Sequence, residues 1–430
     1  MTRAVVLGAF AVWITCAAIR WCTPTPLAHD EAHYALATKD FLDGRSARWF
    51  YVSTGMVAVG APGMLAGGSD RGLRVLPLLL GLGFLAAAWR AGCAIGGRET
   101  GAWKAAVIAG TGQLAQFQAS LMNDLPSAGC MLAAIAVLVH ELRREGGPSW
   151  RILWAAPLCA VAMYLRYASC VVIAMIAVAT FVIRRPDARS ARRMLATVAL
   201  FGLLMVPHAV QALSSTGSPF GIVLDSADVP PRGGAYAAYF GHPIEFFGVL
   251  ATLLAFVALA GAWRDRWRLY AFALGLADVL VLAHLSTAHT RYVTIGVVLI
   301  VIAGVATLRD LIARAPIPAA VAVAIPWVIA LVHVGHHGDL RVAGMQGTLI
   351  AAPAIAADAH GRPCEVLARH ALQIEWYSGC RQIETLGDRK TSLVYAVRDT
   401  TGGPWQPAEL PGTRIVDRPG LVDVTRLAAP

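Results

Sequence analysis

The chain has 430 residues, of which 57% are hydrophobic and only 14% are charged. Soluble globular domains carry about 25% charged residues, so this composition excludes an ordinary soluble protein and indicates a membrane protein. The formal net charge is +10, but the basic residues are spread over short loops between apolar runs. Since a nucleic-acid-binding protein needs a basic soluble face and none is visible, the charge excludes a nucleic-acid partner.

About eleven apolar runs are long enough, or nearly so, to cross a hydrocarbon core that requires roughly 20 residues per helix. The first run lacks a convincing small-residue cleavage site and leads directly into an acidic motif, so we interpret it as an anchor and not as a signal peptide. The runs predict an all-α polytopic membrane protein, with spans near residues 4–22, 72–94, 102–121, 125–142, 151–165, 167–183, 194–213, 245–262, 268–287, 291–308 and 317–334.

Basic residues fall in alternate loops, which orients the chain. Loops rich in Lys and Arg remain cytoplasmic, so the N-terminus is predicted to be cytoplasmic and, after an odd number of spans, the C-terminus to be extracytoplasmic. The predicted inner loops carry Lys104, Arg143, Arg189, Arg266 and Arg309. The predicted outer face consists of the 23–71 loop, the 214–244 loop, short turns near 123–124, 166–167 and 289–292, and the chain after residue 336.

An acidic motif, His29-Asp30-Glu31-Ala32-His33-Tyr34, follows the first span. Acidic side chains beside a span are costly to bury, so they are typical of an interface or a wet cavity where chemistry takes place. On a helix, Asp30, His33 and Tyr34 share one face, while Glu31 points about 100° away, so the two acids cannot have the same role. The alternative is that Asp30 caps this helix and Glu31 interacts with its N-terminal dipole.

Several arginines at the predicted outer ends of spans are candidates for binding a phosphate. Arg291, followed by Tyr292, is the leading candidate because a guanidinium binds phosphate oxygens bidentately and keeps its charge. The alternative is an interfacial Arg beside an aromatic-belt Tyr. Arg166 has the same two interpretations, and Arg74 and Lys39 are weaker candidates that are more typical of interfacial charges.

Three further polar features have a structural and a functional interpretation. Asp124, in an outer turn before Pro126, either caps the next helix or belongs to the site. Asp278 lies inside a predicted span and therefore requires a partner, for which a structural hydrogen bond is favoured over catalysis. A divalent cation is a minor alternative without convincing further ligands, and its candidate histidines are His29 with His33, and His333 with His336 and His337.

The tail differs in composition from the rest of the chain. Its mixed charge, Pro and Gly, and strand-like runs at 365–368, 392–397 and 414–416 predict a small α/β appendage over residues 339–430, after a membrane domain over 1–338. Cys364 and Cys380 are the only cysteines of this tail, and an oxidising outer compartment favours a disulfide between them. A zinc site is less favoured because no second cysteine pair with ligand spacing is present.

Taken in chain order, these motifs resemble the GT-C class of polyprenyl-phosphate-dependent glycosyltransferases, and within it the bacterial aminoarabinose transferases and the protein O-mannosyltransferases. The resemblance is in the acidic pair with a nearby Tyr and a juxtamembrane helix after the first span, and in short motifs opening later spans. The region after Asp43 is compressed and lacks the family's Pro-Pro-Leu-Tyr stretch. The later motifs are Arg74-Val75-Leu76-Pro77, Met122-Asn123-Asp124-Leu125-Pro126 and Thr290-Arg291-Tyr292.

The resemblance implies an inverting transferase that moves a hexosyl or pentosyl group from a polyprenyl-phosphate donor to a lipid, glycan or protein acceptor. It further implies Asp30 as the general base and Glu31 as its orienting partner, in the inner membrane of a bacterium among membrane lipids. The other site candidates are the phosphate-binding Arg291, Tyr292, Arg166, Arg74 and Lys39 and the secondary His33, Tyr34, Asp124 and His289.

Two other classes of protein compete with this interpretation. A transporter or lipid flippase would use intramembrane acids, and it predicts internal repeats with matching broken helices, which the sequence does not display. A lipid-binding scaffold would not require Asp30. Convergence of Asp30, Arg166 and Arg291 on one cavity would favour the transferase.

The charge bias yields a topological prediction. Single cysteines introduced at Arg189 and Arg266 should be blocked only by membrane-permeant reagents, whereas a cysteine introduced at Asp30 or in the tail should react with impermeant ones. Labelling of residue 189 from the outside would overturn the predicted orientation.

Overall fold

The computed structural model describes residues 2–23, 25–45, 52–183, 187–228, 235–286, 288–312, 325–336, 345–368, 371–399, 411–418 and 421–427. These residues are mostly helical. The first helices are α1 (Thr2–Cys22), α2 (His29–Leu42), α3 (Thr54–Leu65), α4 (Asp70–Gly96), α5 (Arg98–Ala109), α6 (Gly112–Ala115) and α7 (Asp124–Leu142). They continue as α8 (Ala155–Leu165), α9 (Ser169–Ile183), α10 (Ala188–Leu204), α11 (Val206–Thr216), α12 (Gly221–Asp228), α13 (Tyr236–Gly241) and α14 (Pro243–Phe247). The remainder are α15 (Val249–Gly261), α16 (Arg266–Leu285), α17 (Thr294–Ile312), α18 (Ile325–His336), α19 (Gln346–Ala359) and α20 (Ala371–Ser378).

Among the described residues, 5 helices are long and apolar enough to cross a membrane, and the bent pair α10 and α11 raises the number to 6. Each predicted apolar run overlaps a helix, but several of these helices have only 10–17 residues. The chain is therefore a helical polytopic membrane protein, and the eleven crossings remain a prediction. The long segments are Thr2–Cys22, Asp70–Gly96, Asp124–Leu142, Arg266–Leu285 and Arg291–Leu311.

The predicted span over residues 102–121 is not one helix. α5 ends at Ala109, and Gly110 packs so closely on α18 that a Cβ there would lie 2.7 Å from Cβ of Pro326. After the short α6, residues 116–121 form turns and bends, and at their end Leu121 N donates to the carboxylate of Glu31 at 2.9 Å. Lys104 also departs from its expected place in an inner loop, because it lies in α5 with 0% exposure and donates to the carbonyl of Ala88.

α16 and α17 pack closely at two glycines. This close contact explains why Asp278 lies inside a predicted span. A Cβ on Gly275 would lie 2.6 Å from the carbonyl oxygen of Gly296, so the two backbones require glycine there. Asp278 Oδ2 accepts a hydrogen bond from Gly296 N at 2.8 Å, in the first turn of α17. This is one of the N–H groups that a helix start cannot satisfy itself, so Asp278 has the structural role favoured from the sequence.

The C-terminal segment contains a five-stranded sheet of order β2-β1-β3-β5-β4. β1 is parallel to β2 and β3, and β5 is antiparallel to β3 and β4. α19 and α20 flank this sheet, and the predicted boundary at 338/339, like His337, lies outside the described residues. The strands are β1 (Glu365–Ala368), β2 (Arg381–Gln382), β3 (Val394–Asp399), β4 (Gly412–Arg418) and β5 (Val422–Leu427).

Cys364 and Cys380 are joined by a disulfide in the structure. We predict that both resist alkylation in membranes prepared without reductant, whereas the exposed free Cys22 reacts. The substitution of both by Ser should lower stability by about 3 kcal/mol, because in the chain-entropy model the bond restricts the unfolded chain. Intact-mass analysis after alkylation measures the first expectation, and two alkylated tail thiols would contradict it.

Candidate active site

The site begins at the N-terminus of α2, where Asp30 forms an ion pair with Arg291. Arg291 Nη1 donates to Asp30 Oδ2 from the 3₁₀ turn that precedes α17, so two segments 261 residues apart in the sequence meet here. The N-cap residue of α2 is Ala28, and the side chain that bonds the backbone of this cap is that of Glu31, which accepts from Ala28 N at 3.0 Å. Asp30 lies in the first turn of α2, is paired with a cation and is not the N-cap residue of this helix.

Glu31 points away from Asp30 and is fully buried. Its carboxylate accepts from Arg74 Nε and Nη2 at 2.9 and 3.0 Å, from Leu121 N at 2.9 Å and from Ala28 N at 3.0 Å. These bonds join α2, α4 and the turn segment that follows α6. Glu31 thus positions the start of α2, the helix that carries Asp30.

The structure corrects the expectation that Arg74 binds a phosphate. All three guanidinium nitrogens are engaged, because Nη1 donates to the Thr25 carbonyl at 2.8 Å and Nη2 to the Pro26 carbonyl at 3.1 Å in addition to Glu31. Arg74 is buried and holds the α1–α2 linker. Lys39 also departs from expectation, since it is exposed near the end of α2 and is not among the described residues that line the site cavities.

Tyr292 brings two arginines together. The guanidinium carbons of Arg291 and Arg166 lie 4.9 and 5.3 Å from the centre of its ring, and Arg291 Nη2 donates to its hydroxyl at 3.1 Å. Arg166, at the end of α8, forms an ion pair of 3.4 Å with Asp124, the buried first residue of α7. The site therefore holds two guanidinium groups against two carboxylates, with the aromatic ring fixing the cations.

Asp30 and Arg291 belong to the walls of two cavities. The smaller cavity, of about 240 Å³, is also lined by Arg166 and Tyr292, and the larger one has about 560 Å³. His33, Tyr34, Val52 and Asn123 complete the lining of the small cavity. The large cavity is also lined by Ala28, His29, Glu31, Gln116, Phe117, Ser120, Met122, His289, Met345 and Gln373.

Two imidazoles beside the ion pair are kept neutral. Burial, together with the charge of His29, lowers the pKa of His33 to about 4. Burial and the charge of Arg291 lower the pKa of His289. Burial and the negative charge of Asp30 raise the pKa of the Tyr34 hydroxyl. At neutral pH these groups therefore offer hydrogen bonds, while the positive charge facing an anion comes from the arginines.

The C-terminal segment closes one side of the large cavity. On α20, Trp376 Nε1 donates to Asp70 Oδ1 at 3.2 Å and the Tyr377 hydroxyl donates to Asp70 Oδ2 at 2.5 Å. Leu27 N donates to the same tyrosine oxygen at 2.8 Å, just before α2. These contacts bring Gln373 to the cavity wall. This contribution could not be predicted, because no local sequence pattern links a tail helix to the first outer loop.

The described residues contain no group of three or more His, Cys, Asp or Glu side chains arranged to hold a metal ion. Asp30 and Asp124 are each paired with arginine. The arrangement therefore provides a carboxylate next to a pair of cations, which suits proton transfer near a bound anion.

The Glu31–Arg74 pair yields a stability prediction. Glu31→Gln should lower the free energy of unfolding by about 3 kcal/mol, because it leaves a buried guanidinium without its counter-charge. Glu245→Gln, at an exposed glutamate of α14, is the matched control and should change little. Thermal unfolding of the purified variants in detergent measures both effects. Equal unfolding midpoints would show that the Glu31–Arg74 pair does not stabilise the fold.

Comparison with known proteins gives a fold and no sequence family. No protein-family model matches the chain, and no curated protein matches it. Among solved structures, ArnT from Cupriavidus metallidurans in the apo state is similar with a TM-score of 0.73 at 14% identity, covering 99% of this chain and 98% of that one. The same protein bound to undecaprenyl phosphate gives 0.71 at 15% identity, with the same coverages.

A third structure is the oligosaccharyltransferase AglB from Archaeoglobus fulgidus in complex with an inhibitory peptide and a dolichol-phosphate. It matches with a TM-score of 0.60 at 12% identity, covering 88% of this chain and 64% of that one. ArnT and AglB are both GT-C glycosyltransferases. The chain therefore has the fold of the class that its motifs resemble.

Proposed function

We propose that this chain is a membrane glycosyltransferase that moves a sugar from a polyprenyl-phosphate donor to an acceptor on the extracytoplasmic face of a bacterial inner membrane. One observation carries the proposal: Asp30, Arg166 and Arg291, from three distant parts of the sequence, line one cavity of about 240 Å³. This convergence favours the transferase over the scaffold, for which no such grouping of charges is required.

The two arginines are suited to the lipid phosphate. A guanidinium forms paired hydrogen bonds with phosphate oxygens, and Tyr292 fixes both cations in position. Asp124 pairs with Arg166 and thereby orients it. During transfer, negative charge accumulates on the departing phosphate, so the same cations stabilise the transition state.

Asp30 is suited to the role of general base. In the proposed step, the acceptor oxygen attacks the anomeric carbon of the sugar, and its proton passes to Asp30. The bond between the anomeric carbon and the phosphate oxygen breaks, and the lipid phosphate leaves with that electron pair. A single displacement of this kind inverts the anomeric configuration. The larger cavity, which Asp30 also lines, is the proposed location of the acceptor.

The ion pair implies an order of binding. In the structure, Arg291 donates to Asp30 and so occupies a carboxylate oxygen that would otherwise be free to accept a proton. A donor phosphate competes for Arg291, and once it binds, Asp30 becomes available to the acceptor proton. We therefore propose that the donor binds before the acceptor becomes reactive.

The structural neighbours support the choice of donor, because ArnT has been crystallised with undecaprenyl phosphate and AglB with a dolichol-phosphate. The sugar and the acceptor require a direct assay. Purified protein in vesicles should be incubated with a panel of undecaprenyl-phosphate sugars, with bacterial lipid and glycan fractions as acceptors, while release of undecaprenyl phosphate is followed. A transferase releases it only when the matching acceptor is added.

Substitutions at Asp30 and Arg291 should produce different defects. Asp30→Asn removes the base but keeps the shape, so turnover should fall by roughly 10² or more while donor binding survives. Arg291→Ala should weaken donor binding and slow transfer, and Arg291→Lys should recover only part of both because a point charge lacks the bidentate fork. Donor affinity and single-turnover rate measure the two effects.

The matched controls are Asp43→Asn and Arg71→Ala, at exposed positions of the same predicted outer loop. Both should transfer sugar at the rate of the unsubstituted protein. If folded Asp30→Asn protein also does so, the catalytic assignment of Asp30 is wrong.

A further inference from the structure

Several arginines gather at the end of the helical bundle that is opposite to the candidate active site. α7 begins at Asp124, in the site, and ends 19 residues later at Leu142. At a rise of 1.5 Å per residue such a helix is about 28 Å long, close to the thickness of the hydrocarbon core of a bilayer. Arg143, which directly follows α7, therefore lies at the other membrane interface.

Trp267, in the first turn of α16, brings two of these arginines together. Its side chain is buried, and the guanidinium carbons of Arg143 and Arg266 lie 5.5 and 5.4 Å from the centre of its ring. Arg143 Nη1 also donates to the carbonyl of Ala94, near the end of α4, at 2.5 Å. Because an aromatic ring attracts a cation, Trp267 holds both guanidinium groups at the junction of α4, α7 and α16.

The acids beside these arginines already have other partners. Asp265 caps α16, since its Oδ1 accepts from Trp267 N and Arg268 N at 3.0 Å each. Asp310, near the end of α17, forms an ion pair with Arg268 at 2.5 Å. Among the described residues, no carboxylate forms an ion pair with Arg143 or Arg266. We call Arg143, Arg266 and Arg268 the arginine cluster; three guanidinium groups face two carboxylates there, so positive charge is in excess.

The excess charge affects the cluster itself. Burial and the positive charges of Arg266 and Arg268 lower the pKa of Arg143, and the charge of Asp265 opposes this shift only in part. A guanidinium nevertheless keeps its proton in a protein, so the repulsion persists until an anion binds. The bias of basic residues towards one side of a membrane accounts for the number of arginines, but not for their convergence on one buried ring.

The arginine cluster borders a surface that faces lipid. Trp263, just before α16, is 66% exposed, and Leu269, one turn after Arg266 on the same face of α16, is 44% exposed. Exposed apolar side chains of a membrane protein contact acyl chains, and tryptophan is typical of the interface. A ligand with a phosphate at the arginines and apolar chains along α16 would therefore use both surfaces, whereas a water-soluble anion would use only the first.

We propose that the arginine cluster binds the phosphate of an anionic phospholipid in the leaflet opposite to the candidate active site. Guanidinium groups form paired hydrogen bonds with phosphate oxygens, and Arg143 and Arg266 have this capacity free of any described carboxylate. A zwitterionic lipid is disfavoured because its ammonium group would meet the excess positive charge. Basic pockets between membrane helices bind anionic headgroups in this way. The proposal does not depend on the transferase function.

Binding can be tested without any transfer assay. Thermal unfolding of the full chain in a nonionic detergent should be recorded with phosphatidylglycerol, phosphatidylcholine and inorganic phosphate. Phosphatidylglycerol should raise the unfolding midpoint at the lowest concentration of the three. Arg266→Gln and Arg143→Gln should each raise the concentration that is needed by roughly fivefold, the contribution of one basic side chain to the binding of an anionic headgroup. The matched control is Arg189→Gln, at an exposed arginine at the start of α10, which should leave this concentration unchanged.

Each outcome bears on the proposal. Equal losses in Arg189→Gln and Arg266→Gln would show a general attraction to basic residues and would overturn the site. An equal response to phosphatidylcholine would overturn the selectivity for anionic lipid, and an equal response to inorganic phosphate would overturn the lipid as ligand. If the cluster variants do not fold, phosphatidylglycerol with a diazirine in its headgroup is applied to the unsubstituted protein. Crosslinks to peptides containing residues 143 or 263–269 would support the site, and crosslinks elsewhere would refute it.

Discussion

The buried pair of Glu31 and Arg74 is the interaction on which the rest of the site depends. It ties the α1–α2 linker, the start of α2, the body of α4 and the turn around Leu121 to one another. A buried charge pair is costly unless its remaining donors and acceptors are satisfied, and here the guanidinium also binds two backbone carbonyls of the linker. Because Asp30 directly precedes Glu31, the Glu31–Arg74 pair also determines the position of Asp30. Glu31 thus has a structural role, and Asp30 is left as the acid for which a chemical role is proposed.

The charged side chains around Asp30 balance one another. Two carboxylates and two guanidinium groups surround Tyr292, and the neighbouring histidines are held neutral by burial. In such a site an incoming phosphate has to replace a carboxylate at a guanidinium, and Asp30 is the more accessible of the two acids, since Asp124 is buried at the start of α7. In the proposed mechanism, this exchange at Arg291 links donor binding to the release of Asp30. On this proposal, a single exchange of partners at Arg291 both binds the donor and frees the carboxylate that serves as the base.

Sequence patterns predicted the apolar helices and the helical face that Asp30, His33 and Tyr34 share. They also singled out Arg166 and Arg291, which line the same cavity. These features follow from local periodicity or from short motifs next to spans. What could not be predicted depends on long-range contacts. The engagement of Arg74, the break of the 102–121 run where Gly110 meets Pro326, and the burial of Lys104 are determined by segments distant in sequence. Gln373 reaches the cavity wall for the same reason.

The C-terminal segment adds a second set of contacts to the α1–α2 linker and to the start of α4. Asp70 begins α4 one turn before Arg74, and it accepts hydrogen bonds from Trp376 and Tyr377 of α20, while Tyr377 also receives the N–H of Leu27. The same linker is therefore held from one side by Arg74 and from the other by the tail. The disulfide between Cys364 and Cys380 joins the chain just after α20, the helix that carries Gln373, to the chain just before β1. The large cavity is thus lined both by the start of α2 and by the tail, and each of these parts is held by buried hydrogen bonds, which favours a defined geometry.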